Sequence, residues 1–143
     1  MKKVLSLFIA CLMVVGVFSV ATAEAPKSLK IAVIYSAAGR NDNGYNQSAV
    51  EGAEAVAAEL GAEVNIVEPE NGVPAALETL AEDGYNLIFN LEYDFDALIK
   101  GVGGAQPIAA QYPDTWFVVF NANPNVNDAG EVIHKNVISV LFD

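Results

Sequence analysis

Residues 29–61 read LKIAVIYSAAGRNDNGYNQSAVEGAEAVAAELG, and this stretch decides the fold. Leu29 to Ser36 is β-rich and mostly apolar without clean alternation, as expected of a strand covered on both faces. Ala37 to Gly44 is a polar, glycine-containing loop with a helix-cap candidate at Asp42 or Asn43. From Tyr45 to Leu60, Ala49, Ala53, Val56, Ala57 and Leu60 recur at helical spacing, with Glu51, Glu54 and Glu59 towards the other side. That is an amphipathic helix ended by Gly61 at the C′ position. Strand, loop, helix: the chain opens as a βα unit.

The same grammar continues downstream. Glu63 to Val67 is a short strand, and a turn at 68–72 leads to Pro74, suited to the first turn of a helix reaching Asp83 and closed by Gly84. Leu87 to Asn90 is the third strand. Tyr93 to Val102 and Gln106 to Tyr112 read as helices separated by Gly103-Gly104. Trp116 to Phe120 is a strongly apolar strand, with Trp116 and Phe117 expected in packing. Asn121 to Asn136 is a polar loop in which His134 is expected to be solvated, and Val137 to Phe142 is a last strand. The order β-α-β-α-β-α-β-loop-β predicts an α/β, doubly wound and mainly parallel sheet with right-handed crossovers.

Upstream lies a different kind of segment. Met1-Lys2-Lys3 is basic, Val4 to Val20 carries no charge, and Ala21-Thr22-Ala23 supplies small residues before Glu24. This is the layout of a secretory signal peptide over residues 1–23, leaving 24–143 as the exported chain. The uncharged run is at the lower limit for spanning a bilayer. Phe8-Ile9-Ala10-Cys11 is only a partial likeness to a lipoprotein cleavage box, so soluble and lipid-anchored forms both stay open. The expected localisation is the periplasm or the outer face of the plasma membrane.

Charge and composition then remove function classes. The 143 residues carry a formal −11, and loss of Lys2 and Lys3 takes this to −13. Such a surface repels phosphate backbones, so no nucleic-acid partner is expected. The one cysteine lies in the leader and the one histidine is His134. The exported chain therefore offers no thiolate site, and a metal centre or histidine-based triad is hard to assemble. No cofactor, no metal and no enzymatic activity are expected. Gly101-Val102-Gly103-Gly104 lacks the lysine-serine ending of a phosphate loop. Glu92, Asp94 and Asp96 suit a helix N-terminus, with Glu92 kept as a candidate because it directly follows a strand end.

Ligands of open parallel sheets collect outside the carboxyl ends of the strands. Here those ends carry Ser36, Glu68, Asn90-Leu91-Glu92 and Asn121-Ala122-Asn123, together with Tyr45 and Tyr93. Amides offer donors and acceptors together, which suits a neutral polar ligand; Asn and Asp also simply supply turns and caps. Gly39, Asp42, Tyr45, Asn46, Gln47, Ser48 and Ala49 resemble the Gly-x-x-Asp-x-x-Phe-Asn-Gln-Ser-Ala motif of the basic membrane protein family, the PnrA-like substrate-binding proteins of ABC transporters. Gly84 to Ile88, Gln111 to Phe117 and Asn136 to Val140 match in the same order, so the likeness spans about Lys30 to Asp143.

The resemblance implies a type I periplasmic-binding-protein-like lobe whose second lobe is missing, from a truncated product or fragment. It implies a purine nucleoside, nucleobase or related heterocycle as ligand, and ABC permease subunits as partners. By this likeness Tyr45 would stack on the base, with Asn46 the neighbouring amide, and Ser36, Asp42, Glu92 and Asn121 complete the expected ligand-binding set. Ser36 and Asn121 stand where the family often has acids, and Tyr45 where it usually has Phe, so the hydrogen-bond code at this rim is altered. A sensing module for a membrane partner and an exported hydrolase using Glu92 and Asp96 are the alternative readings.

Overall fold

The structure, a computed structural model, describes residues 28–142; the expected leader at 1–23 lies outside the described residues. Five strands form one sheet: β1 (Lys30–Ile34), β2 (Glu63–Val67), β3 (Leu87–Asn90), β4 (Trp116–Phe120) and β5 (Val137–Val140). Four helices connect them: α1 (Tyr45–Leu60), α2 (Val73–Glu82), α3 (Asp96–Ile99) and α4 (Ile108–Gln111). The strand order is β2-β1-β3-β4-β5 and every pairing is parallel. The doubly wound α/β architecture expected from the alternation is the one observed.

Handedness distributes the helices. A right-handed crossover places its helix on a face set by the direction in which the chain steps across the sheet. The step from β1 to β2 runs one way, and the steps to β3, β4 and β5 run the other. So α1 alone lies on one face, and α2, α3 and α4 share the opposite one. The register follows suit: Ala32, Ile88, Phe117 and Val137 form a row on the three-helix face. They pack with Leu77 and Leu80 of α2, Leu98 of α3 and Ile108 of α4 in the principal core. Full burial of side chains such as Leu77, Leu98 and Phe117 contributes about 1.5–3 kcal/mol each. The α1 face carries a smaller cluster around Val33, Ala53 and Leu91.

Several sequence expectations are corrected. The apolar stripe of α1 was expected along Ala49, Ala53, Val56, Ala57 and Leu60, but the buried residues are Asn46, Val50 and Ala53, while Val56 and Leu60 are exposed. The helix turns a polar residue to the sheet and leaves two aliphatic ones along its flank. The helix expected over 93–102 shrinks to one turn at Asp96–Ile99 because Gly101, at φ 75°, reverses the chain there. The helix expected over 106–112 starts only at Ile108, since Pro107 is extended at ψ 136°. The first strand stops at Ile34, and the last at Val140. Trp116 is 46% exposed although Phe117 is fully buried.

The long connection from Asn121 to Asn136 is polar but not loose. Buried Asn125 donates Nδ2 to the carbonyls of His134 and Val137 and accepts from the His134 amide. His134, expected in solvent, is half-buried with Nε2 2.8 Å from the Ile99 carbonyl, which ties the connection to the end of α3. Asn136 donates to the carbonyls of Ala109, Tyr112 and Thr115 and so fixes the turn between α4 and β4. Buried backbone carbonyls need partners, and these asparagines supply them where no ladder can.

Gly101 offers a direct check of this packing. A Cβ built there would meet the Ala105 carbonyl oxygen at 2.0 Å, and the positive φ adds strain. Gly101→Ala is expected to destabilise the chain by about 2–4 kcal/mol, read as a lower midpoint in urea unfolding.

Candidate functional site

The carboxyl ends of β1, β3 and β4 are adjacent in the sheet, so the three loops that follow them meet on one rim. The first loop is organised by two side chains. Asp42 accepts from the backbone N–H groups of Gly44, Asn46 and Gln47, at 2.9–3.1 Å. It thus satisfies the second and third free amides of α1 from two residues before the N-cap glycine, which has no side chain to do so. The Asn46 amide, followed by that of Gln47, holds the Asp42 carboxyl below the ordinary value of 3.8. Three backbone donors aimed at one carboxylate favour its charged form.

Asn46 is the second organiser and is fully buried. Its Oδ1 accepts from the Ser36 N–H at 3.1 Å, and its Nδ2 donates to Ser36 Oγ at 3.0 Å and to the Gly39 carbonyl at 2.9 Å. One carboxamide therefore joins the end of β1, the crest of the loop and the first turn of α1. Its polar atoms are all engaged by the loop.

Tyr45, one residue earlier, behaves differently. The residue is 37% exposed, and its ring stands edge-on to Phe120 and Phe142, with centroids at 6.3 and 6.4 Å. Burial of the hydroxyl, helped by nearby Tyr93, pushes its pKa up to about 12. The phenol thus stays protonated at neutral pH, a donor as well as an acceptor.

Glu92 and Asn121 complete the rim from the neighbouring strands. Glu92 Oε1 accepts from the Ala37 N–H at 2.7 Å, clamping the β3 loop to the β1 loop. Its own N–H donates to Asn90 Oδ1. Asn90 is fully buried at the end of β3, and its Nδ2 has no hydrogen-bond partner among the described residues. Asn121 is exposed, takes a left-handed φ of 53°, and its Nδ2 lies 3.4 Å from the Tyr93 hydroxyl.

The structure therefore gathers Ser36, Asp42, Tyr45 and Asn46 on one loop, ties Glu92 to that loop, and carries Asn121 on the next strand through Tyr93. Sequence reading marked Asp42 as a cap candidate but did not separate Asn46 and Glu92, whose side chains hold the loop, from Tyr45 and Asn121, which leave aromatic and polar surface open. The adjoining link between Tyr35 Oη and Glu68, at 2.9 Å, was also unforeseen. It raises the Tyr35 pKa chiefly through that bond.

Charge on the rim is one-sided. Of the described cations, Lys30 and Lys135 lie near the amino ends of β1 and β5, while Arg40 and Lys100 are paired with Glu54 and Asp96. No group of acids, histidines or cysteines suited to a metal occurs among the described residues.

A doubly wound parallel sheet whose loops gather polar side chains at the β1–β3 switch point is the architecture of a ligand-binding α/β lobe. Over residues 28–143 the chain matches the family described as ABC transporter substrate-binding protein PnrA-like, and it belongs to that family. It is 34% identical over 122 residues to an uncharacterised lipoprotein of Pyrococcus furiosus, covering 81% of this chain and 27% of that protein. Among solved structures it resembles an ABC transporter system solute-binding protein from Aeropyrum pernix K1, at 26% identity and TM-score 0.59, covering 80% of this chain and 28% of that one. It also shares its fold with a fragment of a putative lipoprotein from Peptoclostridium difficile 630, at 21% identity and TM-score 0.58, covering 80% and 85% of the two chains. The chain thus spans about a quarter of the length of the curated relative.

Two measurements test the loop. Asn46→Ala leaves the Ser36 N–H and the Gly39 carbonyl without their partners and is expected to cost about 2–4 kcal/mol in chemical denaturation. Because the Asp42 pKa is lowered in the folded state, its stabilisation is complete above the ordinary carboxylate value and lost as pH falls through the lowered one. Asp42→Asn should therefore lower the melting temperature at pH 7 but leave it close to that of the parent in strong acid. An equal loss at both pH values would show that the charge is not what matters.

Proposed function

We propose that this chain is the first lobe of an exported solute-binding component of an ABC importer, and that it binds a flat, uncharged ring such as a purine nucleoside or nucleobase without transforming it. Family membership supports the solute-binding role, and the Pyrococcus relative's description as a lipoprotein accords with an extracytoplasmic place. The single observation that carries the ligand reading is the half-open ring of Tyr45 at the mouth of α1, beside polar groups contributed by three adjacent strands.

In this reading Tyr45 supplies the stacking surface. The Ser36 hydroxyl, the Glu92 carboxylate and the Asn121 amide read the polar edge. Asp42 and Asn46 act by holding the loop. A rim whose nearby acids outnumber its cations, the latter already paired, disfavours phosphorylated ligands. The remaining contacts would come from a second lobe closing over the ligand, with permease subunits receiving the closed form.

The test is calorimetric titration and thermal shift of the exported chain with adenosine, guanosine, inosine and the free bases, and with adenosine monophosphate for comparison. At millimolar ligand, weak binding of a nucleoside or base is expected, because this lobe supplies only part of the contacts, with weaker binding still of the monophosphate and a loss of about 10- to 100-fold in affinity for Tyr45→Ala. No heat and no melting shift with any of them, or an unchanged affinity in the Tyr45 variant, would overturn the reading.

A further inference from the structure

Beneath the rim lies a buried donor that the loops do not use. Asn90 is the last paired residue of β3, in register with Ile34 of β1 and Val119 of β4, and its side chain is fully buried. Ser36, Glu92 and Asn121 each follow a member of that row by two residues, so Asn90 lies one step below them. The Glu92 N–H finds its acceptor in Asn90 Oδ1 at 3.1 Å. Turning the carboxamide over would set its NH2 group against that N–H, donor against donor, so Nδ2 is the atom left over. It has no partner among the described residues. A buried donor left unmet is destabilising, and an acceptor that reaches it gains accordingly.

The rest of the rim leans the same way. Ser36 Oγ accepts from Asn46, which leaves its O–H to donate. The Asp42 oxygens and Glu92 Oε1 already receive backbone N–H groups. The acceptors that remain, Glu92 Oε2 and Asn121 Oδ1, belong to side chains that reach water. What is buried and unmatched is a donor.

We propose that Asn90 is a specificity residue of this rim, its Nδ2 kept for an acceptor on the ligand, and that the ligand is an oxo-substituted ring in preference to an amino-substituted one. This rests on the ring-binding reading above and narrows it. A ring carbonyl accepts and so answers Nδ2; an exocyclic amino group brings a second donor and leaves it unmet. Sites with buried polar groups discriminate because the wrong ligand leaves those groups unpaired. Access follows from the same contacts. The Glu92 side chain bridges the β3 and β1 loops through the Ala37 N–H, at 2.7 Å and exposed. A ring entering between the two loops parts that bond and uncovers the carboxamide beside the Glu92 backbone.

The test compares three nucleosides on the exported chain by ligand-observed NMR at millimolar concentration. Inosine carries a ring carbonyl, adenosine an amino group in its place, and purine riboside neither. Inosine is expected to bind about tenfold more tightly than the other two. Asn90→Leu, close in shape and without polar atoms, is expected to erase that advantage. A purely structural role would move the melting temperature and leave the ratio of affinities alone. Should the variant not fold, inosine against purine riboside on the parent chain decides the matter. Equal binding of the three, as a bond to a ring nitrogen common to all would give, overturns the inference and leaves the binding reading standing. So does an advantage of inosine that survives in Asn90→Leu. No binding of any of them overturns both.

Discussion

The handedness of the β-α-β crossover is the constraint on which this molecule turns. Because each connection must wind the same way, the strand order β2-β1-β3-β4-β5 places three helices on one side of the sheet and a single helix on the other. It also brings β1 and β3 side by side although they are not consecutive, which opens the crevice between their loops where a ligand can enter. The well-packed face, the half-covered face and the polar rim share this one origin.

On that frame the first loop is held by a small amount of well-placed polarity. The Asn46 carboxamide lies where the apolar stripe of α1 should continue, and it earns its burial by joining β1, the loop and the helix through three short contacts. Asp42 closes the exposed start of the same helix with its carboxylate. Together they leave Tyr45 as the residue of the loop with open aromatic surface. The division of labour between neighbours at 45 and 46 follows from helix geometry, since adjacent positions point about 100° apart.

Much of the fold was legible in the sequence. The alternation of apolar runs with glycine-closed helical patterns at Gly61 and Gly84 located the strands and the two long helices, and the order of elements fixed the parallel sheet. What escaped was set by tertiary contacts. Val56 and Leu60 look like core residues by spacing and are not, because the helix turns Asn46, Val50 and Ala53 to the sheet instead. The one-turn helices at 96–99 and 108–111 are too short for any periodicity to mark. The asparagines at 125 and 136 read as loop residues although they bridge distant carbonyls. At the site, residue types announced polarity and an aromatic ring, but only the structure separated Asn46, whose amide is fully engaged by the loop, from exposed Asn121, whose amide has one long contact to the Tyr93 hydroxyl.

Tyr45 belongs to two surfaces at once. Its ring borders the polar loop and also stands edge-on to Phe120 and Phe142 on the side of the sheet that α1 covers. A change of side chain at 45 is therefore felt on both surfaces at once: the loop loses its open ring, and the two phenylalanines lose the edge they pack against.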